Sequence, residues 1–311
     1  MSRLNSLWRS AIVRVVRRPW FRRLATQTTL GRAVASRFVA GETLAEGMAV
    51  ARALRDDGIA SILDHLGENV ATPVQALAAR EAYLRALDAI AGEEDLDGAI
   101  AVKLSQLGLD DSVEVCWANL AAILDAAARS GSLVMIDMES HAYVEATLAI
   151  ATRAHERYDG AGVAIQAYLL RTEQDVFALP AGCRVRLVKG AYLEPPSLVY
   201  RRKQEVDVAF ARAFTTLLQR GHAIDVATHD PGLIEGVRER VDALGEGWSQ
   251  VEFQMLYGVR RDLQAQLAGQ GYPVRVYIPY GTEWYPYLTR RLAERPANLW
   301  FFVSNVMRTT R

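Results

Sequence analysis

Eight short apolar runs with the composition of β-strands recur after residue 56, and segments with helical periodicity separate them. The separating segments, such as ALAAREAYLRALDAIA, place apolar residues three, four and seven positions apart. Regular alternation of strands and helices predicts a parallel sheet with helices outside it. Eight such units in roughly 250 residues predict a closed α/β fold, a (β/α)₈ barrel of the TIM type. The runs are GIASIL (58–63), AIAVKL (99–104), LVMIDM (133–138), VAIQAY (163–168), RVRLV (184–188), AIDVAT (223–228), VEFQML (251–256) and VRVYI (274–278).

A doubly wound open sheet also alternates strands and helices, and it is the main alternative fold. Such sheets often carry a glycine-rich dinucleotide fingerprint immediately after a strand. The nearest segment here, GAGVAI at 160–165, lacks the third glycine and precedes a strand instead of following one. The pattern therefore favours the closed barrel.

The first 41 residues differ from the rest of the chain because they are strongly basic. Apolar residues recur among them at helical spacing until Pro19 interrupts the pattern, which predicts short basic amphipathic helices. We expect an N-terminal helical extension over residues 1–55 and a barrel catalytic domain over residues 56–311. The 311-residue chain has no net charge, yet this stretch lacks lysine and acidic residues and contains nine arginines: Arg3, Arg9, Arg14, Arg17, Arg18, Arg22, Arg23, Arg32 and Arg37.

Three interpretations of this extension remain open. Its helices could pack on the barrel, lie against an anionic membrane surface, or form an organelle transit peptide. The two cysteines, Cys116 and Cys183, lack the spacing of a disulfide framework or a metal site, and no apolar run approaches a membrane span. We expect a cytoplasmic protein, with peripheral contact at the inner face of the membrane if the extension binds lipid. No nucleic-acid-binding module is recognisable, so no nucleic acid partner is expected.

Polar residues stand at the ends of the predicted strands, although strands buried on both faces are normally apolar throughout. The carboxyl ends of barrel strands converge on the axis, so these side chains should meet in one pocket. The residues are Lys103, Asp137, Gln166, Lys189, Thr228, His229, Gln254 and Tyr277.

The chemistry of this pocket has two candidate forms. Motifs of serine hydrolases, zinc proteases, P-loops and EF-hands are missing, and the five histidines do not cluster, so no metal is expected. Donors outnumber bases, which suits an anionic, hydrogen-bonding cofactor such as a flavin. A Schiff-base lyase or aldolase, with Lys103 or Lys189 as the nucleophile, is the second possibility.

Seven segments occur in the same order as in a known family. They resemble proline dehydrogenase, in particular its short monofunctional bacterial type, from Gly58 to the end of the chain. The resemblance implies an FAD-dependent flavoprotein of proline catabolism. The segments are LGE (66–68), KLSQLG (103–108), VRLVKGAY (185–192), ATHD (227–230), EFQMLYGV (252–259), VYIPYG (276–281) and YLTRRLAER (287–295).

The resemblance implies a role for each residue of a proline site. Arg290, Arg291 and Lys103 would bind the proline carboxylate, because guanidinium forks meet a carboxylate with two hydrogen bonds. Glu294, three and four positions after the arginines, would order them and offset their repulsion. Asp137 would support Lys103. Tyr277 and Leu256 would form walls for the proline ring.

The resemblance also implies a set of flavin contacts. Arg186 would place a positive charge near flavin N5, and Gln166 would hydrogen-bond the ring. Small residues after the fifth strand would let the backbone approach the cofactor. Arg202 or Lys203 would contact the phosphates. The full set is Gln166, Arg186, Val188, Lys189, Gly190, Ala191, Lys203, Thr228 and His229.

The resemblance implies oxidation of L-proline to 1-pyrroline-5-carboxylate, the first step of proline catabolism to glutamate. The electrons of reduced FAD would pass to a quinone. A membrane-bound quinone would give the basic extension a purpose.

Overall fold

The computed structural model describes residues 35–67, 70–245 and 247–294, with side chains described as far as residue 289. Eight parallel strands form a closed barrel in chain order, and β1 pairs with β8 to close it. This confirms the predicted (β/α)₈ barrel. Each observed strand overlaps its predicted run. The strands are β1 (Ala60–His65), β2 (Gly98–Val102), β3 (Leu133–Ile136), β4 (Ala161–Gln166), β5 (Arg184–Val188), β6 (Ile224–Ala227), β7 (Val251–Leu256) and β8 (Val274–Tyr280).

Nine α-helices are present in the described ranges, and local capping explains several of their ends. The hydroxyls of Thr43, Thr72 and Ser112 accept hydrogen bonds from the first turns of α1, α2 and α3. Two short 3₁₀ helices follow β2 (Leu104–Leu107) and β3 (His141–Tyr143). The α-helices are α1 (Leu44–Asp56), α2 (Pro73–Ala91), α3 (Val113–Ser130), α4 (Val144–Arg157), α5 (Thr172–Ala178), α6 (Lys203–Gln219), α7 (Pro231–Leu244), α8 (Arg261–Gly269) and α9 (Trp284–Glu294).

The main apolar core lies between the strands and the surrounding helices. Val163 of β4 and Val185 of β5 are fully buried there with Phe210 of α6. A small second cluster, which includes Ile62 and Met135, contributes to the packing. Burial of both strand faces accounts for the continuous apolar runs in the sequence.

The part of the N-terminal extension that the structure describes packs on the barrel. Phe38 and Val39 form an apolar cluster with Trp284 and Leu288 of α9. The Ala40 amide donates to the Pro279 carbonyl over 2.9 Å. The arginines before residue 35 lie outside the described residues. Within the described ranges, no helix is long and apolar enough to cross a membrane.

Candidate active site

A cavity of about 1840 Å³ opens at the carboxyl ends of the strands. Every predicted site residue whose side chain the structure describes lines it: Lys103, Asp137, Gln166, Arg186, Val188, Lys189, Gly190, Ala191, Lys203, Thr228, His229 and Tyr277. The side chains of Arg290, Arg291 and Glu294 lie outside the described residues. Their helix, α9, contributes Tyr287 to the cavity wall.

Lys103 follows β2 and lies between two carboxylates. Its Nζ is 2.6 Å from Asp64 Oδ1 and 3.5 Å from Asp137 Oδ2. Burial acts to lower the pKa of Lys103, but the charges of Asp64 and Asp137 and the neighbouring tyrosines together outweigh it, so that pKa lies well above its usual range. Asp137 was the predicted support for Lys103, and the structure shows that Asp64 is the closer partner.

Asp137 also joins Lys103 to an arginine on β5. Arg186 Nη1 donates to Asp137 Oδ1 over 2.6 Å, and the Tyr277 hydroxyl donates to Oδ2 over 2.7 Å. The Arg186 guanidinium carbon lies 5.2 Å from the centre of the Tyr277 ring. Arg186 Nε donates to Gln254 Oε1 over 2.7 Å. Its Nη2 is buried and has no hydrogen-bond partner among the described residues.

Gln166 is the last residue of β4, and its side chain links the neighbouring loop to the site. Its Nε2 donates to the carbonyl of Glu139 over 2.9 Å. The Glu139 carboxylate in turn accepts from the amide and the hydroxyl of Ser105, over 3.0 and 2.6 Å. These bonds tie the loops after β2, β3 and β4 together.

Gly190 is required by the backbone after β5. Its φ is +113°, and a Cβ at this position would lie 2.1 Å from the nearest atom of the Tyr168 ring. Residues with side chains rarely adopt this conformation. The sequence predicted a small residue here for the approach of the cofactor; the structure adds contact with Tyr168 as a second reason.

Two lysines and two aspartates alternate at the edge of the cavity. Lys189 Nζ lies 2.6 Å from Asp207 and 2.8 Å from Asp230, while Lys203 Nζ lies 2.7 Å from Asp230. Hydrogen bonds from Lys189 and Lys203 hold the pKa of Asp230 well below its usual value. Asp230 Oδ1 also caps α7 by accepting from the Gly232 amide over 3.1 Å.

Thr228 and His229 fix the turn that follows β6. His229 Nε2 accepts a hydrogen bond from the Leu256 amide over 3.0 Å, so the neutral ring carries its proton on Nδ1. Thr228 Oγ1 accepts from the Asp230 amide over 3.2 Å. This places the backbone after β6 against the end of β7. Within the described ranges, no group of three histidine, cysteine or acidic residues could hold a metal ion.

Comparison with known proteins identifies the family. The family model for proline dehydrogenase matches residues 48–303. This chain belongs to the proline dehydrogenase family. It is 37% identical to proline dehydrogenase of Deinococcus radiodurans over 98% of this chain and 99% of that one. It is 38% identical to proline dehydrogenase 1 of Bacillus subtilis, over 88% of this chain and 91% of that one.

Solved structures agree with this assignment. Proline utilization A (PutA) from Bdellovibrio bacteriovorus, crystallised after inactivation by N-propargylglycine, superposes with a TM-score of 0.78 at 25% identity. The superposition covers 84% of this chain and 32% of the PutA chain, so this chain spans about a third of that protein. Family membership confirms the resemblance and shows an oxidoreductase that acts on proline. It also implies a flavin cofactor.

Sequence reasoning missed several acidic residues of this proline dehydrogenase cavity. Asp64 was overlooked because the predicted first strand ended at residue 63, whereas β1 continues to His65. An aspartate inside the apolar segment ASILDH was a usable signal. Asp207 carried no such signal, because it lies in the first turns of an ordinary amphipathic helix. Asp230 stands in the segment ATHD that carries the resemblance, but no role was assigned to it.

Proposed function

We propose that this chain oxidises L-proline to 1-pyrroline-5-carboxylate with FAD as its cofactor and a quinone as its electron acceptor. The observation that carries the proposal is the linked arrangement of Asp64, Lys103, Asp137, Tyr277 and Arg186 at the base of one large cavity. In this arrangement the Lys103 ammonium can bind a small carboxylate. The Arg186 guanidinium keeps one N–H donor, Nη2, that has no partner among the described residues.

The residues present fit a flavin. The buried Arg186 Nη2 is a donor without a partner in the described part of the chain, and it lies on the strand for which the resemblance predicts cofactor contact. Gln166 adds an amide to the cavity wall, and Gly190 leaves backbone exposed to the cavity. Lys189 and Lys203 supply cations for a pyrophosphate at the rim. Bound FAD would accept the two electrons removed from proline.

Lys103 is suited to hold the substrate carboxylate. Its ammonium lies 2.6 Å from Asp64 and 3.5 Å from the Tyr277 hydroxyl. Tyr277 and Leu256 line the same cavity and would offer surface to the pyrrolidine carbons. In α9, Arg290, Arg291 and Glu294 follow the cavity residue Tyr287 by three, four and seven positions, the spacing of one helix face. We propose that both arginines complete the carboxylate site and that Glu294 orders them.

The lysine that holds the carboxylate does not act as a base in this proposal. Its raised pKa keeps the ammonium protonated at neutral pH. Proline would therefore react as its neutral amine, with its position fixed by the carboxylate contacts.

The carboxylates beside Lys103 and Lys189 disfavour the Schiff-base lyase. A lysine nucleophile must be a neutral amine, and its pKa is usually lowered by burial or by a nearby cation. The pKa of Lys103 is shifted in the opposite direction. Lys189 Nζ is bound by two carboxylates.

The absorbance spectrum of the purified protein tests the proposal. We expect a yellow protein with flavin absorbance that L-proline bleaches in the absence of oxygen. N-propargylglycine, which inactivates the Bdellovibrio PutA, should also inactivate this chain in a time-dependent manner. A colourless protein that binds no added FAD, and that borohydride traps on a lysine with a carbonyl substrate, would replace this function with the lyase.

The basic extension supports a second part of the proposal, peripheral contact with a membrane that carries the quinone. Residues 1–34 contain eight arginines and no acidic residue, and each basic residue near an anionic surface contributes roughly 1 kcal/mol of attraction. Such contact would bring the reduced flavin close to a lipid-soluble acceptor.

A further inference from the structure

A continuous chain of hydrogen bonds runs through the interior of the barrel, from its amino-terminal end to the cavity. It starts at Arg275 of β8, passes through Glu252 and Gln254 of β7, and ends at Arg186 of β5. The four side chains come from three strands, and three of them, Arg186, Gln254 and Arg275, are 2–3% exposed. The proposed function uses only Arg186.

Gln254 can satisfy both of its neighbours in only one orientation. Its Oε1 accepts from Arg186 Nε over 2.7 Å, and its Nε2 donates to Glu252 Oε1 over 2.9 Å. Arginine offers donors alone, and an ionised glutamate offers acceptors alone. Rotation of the amide by 180° would therefore place its Nε2 donor against the Arg186 donor and its Oε1 acceptor against the Glu252 acceptor.

Arg275 holds the Glu252 carboxylate in place through two hydrogen bonds. Arg275 donates from Nε to Oε1 over 2.8 Å and from Nη2 to Oε2 over 3.0 Å. Burial acts to raise the pKa of Glu252, but the charges of Arg275 and Arg184, together with the hydrogen bonds from Arg275 and Gln254, outweigh it, so the pKa lies below its usual value. Arg275 is anchored in turn by the carbonyl of Ser61 over 3.0 Å and by the carboxylate of Asp97 over 3.0 and 3.1 Å.

Two hydrogen bonds therefore hold the Arg186 guanidinium, one at Nε and one at Nη1. Gln254 holds Nε and Asp137 holds Nη1, at 2.7 and 2.6 Å. These two bonds fix a plane that would otherwise rotate about several side-chain torsions. Nη2 is left as the remaining donor.

We infer that Gln254 and Glu252, anchored by Arg275, are positioning residues that hold Arg186 in the orientation in which Nη2 serves the flavin. The inference deepens the proposed function and rests on it. Gln254 contributes an oriented acceptor without a charge, so Asp137 stays the one carboxylate bound to Arg186 among the described residues. A carboxylate at position 254 would hold Arg186 equally well but would add a second negative charge beside that of Asp137.

The first test replaces Gln254 with methionine, which keeps the length of the side chain and removes both hydrogen-bonding groups. The dissociation constant of FAD should rise about tenfold, the loss expected for one hydrogen bond to a charged group, and the midpoint potential of the bound flavin should become more negative. Asn119→Leu is the matched control, because it removes a buried amide that donates to Leu107 O over 3.0 Å from the outer helix α3. It should lower thermal stability while leaving the FAD dissociation constant and the potential unchanged.

The second test exchanges the two side chains. In Gln254→Glu/Glu252→Gln, residue 254 still accepts from Arg186, while residue 252 donates to residue 254 and accepts from Arg275 Nη2 with its one remaining oxygen. The bond from Arg275 Nε to the present Oε1 is lost, so the double variant should be less stable than the wild type. The double variant should fold and bind FAD, whereas Gln254→Glu alone places two carboxylates at the present 2.9 Å contact and should lose stability. The flavin potential of the exchanged protein should be more negative than that of the wild type, because a second carboxylate, in addition to Asp137, now contacts Arg186.

The outcomes distinguish failure of the proposed function from failure of the positioning role. Wild-type protein that binds no FAD would defeat the proposed function before any variant is made. Wild-type protein reduced by proline, together with an exchanged variant of unchanged potential, would overturn the positioning role alone. If Gln254→Met does not fold, the exchanged variant decides the question by itself.

Discussion

The ammonium group of Lys103 lies 2.6 Å from the carboxylate of Asp64, and both side chains are buried at the base of the cavity. The two residues lie at the ends of neighbouring strands, β2 and β1. The second carboxylate oxygen, Asp64 Oδ2, has no hydrogen-bond partner among the described residues. This pair makes Lys103 a fixed cation that faces the proposed proline carboxylate.

Asp64→Asn should therefore weaken the binding of proline. The variant keeps the shape of the pair and removes the largest of the charges that raise the pKa of Lys103, so this pKa should fall. The alkaline limb of kcat/KM against pH should move to lower pH, and kcat/KM at neutral pH should fall by about 10-fold. Stopped-flow reduction of the flavin across a pH series measures both effects.

Unchanged kinetics in a variant that retains its flavin would show that Asp64 does not control the charge of Lys103. Asp88→Asn, on the exposed face of α2, is a control that changes the same functional group far from the site.

Arg290→Met and Arg291→Met should each impair the use of proline and retain flavin. If each arginine makes a charge-assisted hydrogen bond to the carboxylate, its loss costs about 1.5 to 3 kcal/mol, or on the order of 10- to 150-fold in kcat/KM. Steady-state kinetics with proline, beside the absorbance spectrum of each variant, tests this. Wild-type kinetics in both variants would mean that the pair is a solvated helix face.

Gly190→Ala should change the shape of the cavity, whereas Gly182→Ala, at another glycine of positive φ, should not. The new Cβ would lie 2.1 Å from a Tyr168 ring atom, so the loop or the ring must move. Gly182 has a φ of +75°, and a Cβ added there would meet nothing within 4 Å, so Gly182→Ala isolates the backbone strain. That strain costs about 1 to 3 kcal/mol.

We expect both alanine variants to lose stability and Gly190→Ala alone to lose affinity for FAD. Thermal melts and FAD titration of the apoprotein measure the two quantities. Equal FAD affinity in the two variants would remove Gly190 from the cofactor site.

The Asp230 carboxylate should make the free energy of unfolding depend on pH in the acidic range. Its pKa is lowered in the folded state by hydrogen bonds from Lys189 and Lys203, so the native state favours the charged form. The stabilisation is present above the unfolded pKa, about 3.9, and is lost as the pH falls through the lower folded pKa. At pH 7, Asp230→Asn should reduce the free energy of unfolding by about 1 to 2 kcal/mol, a value discounted for partial solvent exposure.

Urea denaturation of apoprotein between pH 3 and pH 7 checks this behaviour. The difference in unfolding free energy between wild type and Asp230→Asn should shrink as the pH drops below about 4. A difference that stays constant across this range would contradict the assignment of the ion pairs.

Deletion of residues 1–34 tests the membrane proposal and leaves intact the described segment that packs on α9. Proline-dependent reduction of a soluble dye should persist, while binding to anionic vesicles and turnover with a lipid-borne quinone should fall. Added salt should weaken vesicle binding of the full-length protein, because it screens the arginines. Loss of FAD on truncation, or indifference of the full-length protein to anionic vesicles at low salt, would make the extension structural.

The sequence by itself determined the order of strands and helices, and with it the barrel. Strands buried on both faces read as apolar runs, and amphipathic helices keep one apolar face, so both appear in local patterns. Polar residues at the carboxyl ends, such as Gln166 and Thr228, were visible for the same reason: they interrupt those runs. The resemblance to proline dehydrogenase then supplied roles that spacing could not.

Only the tertiary structure decided which of these residues touch. Lys103 meets Asp64 across 39 positions, and Arg186 meets Gln254 across 68. Such contacts depend on strand register and on closure of β1 against β8, to which no local pattern is sensitive. The charge of a buried group depends in turn on those contacts, because desolvation and a neighbouring charge act over a few ångströms of space and not of sequence.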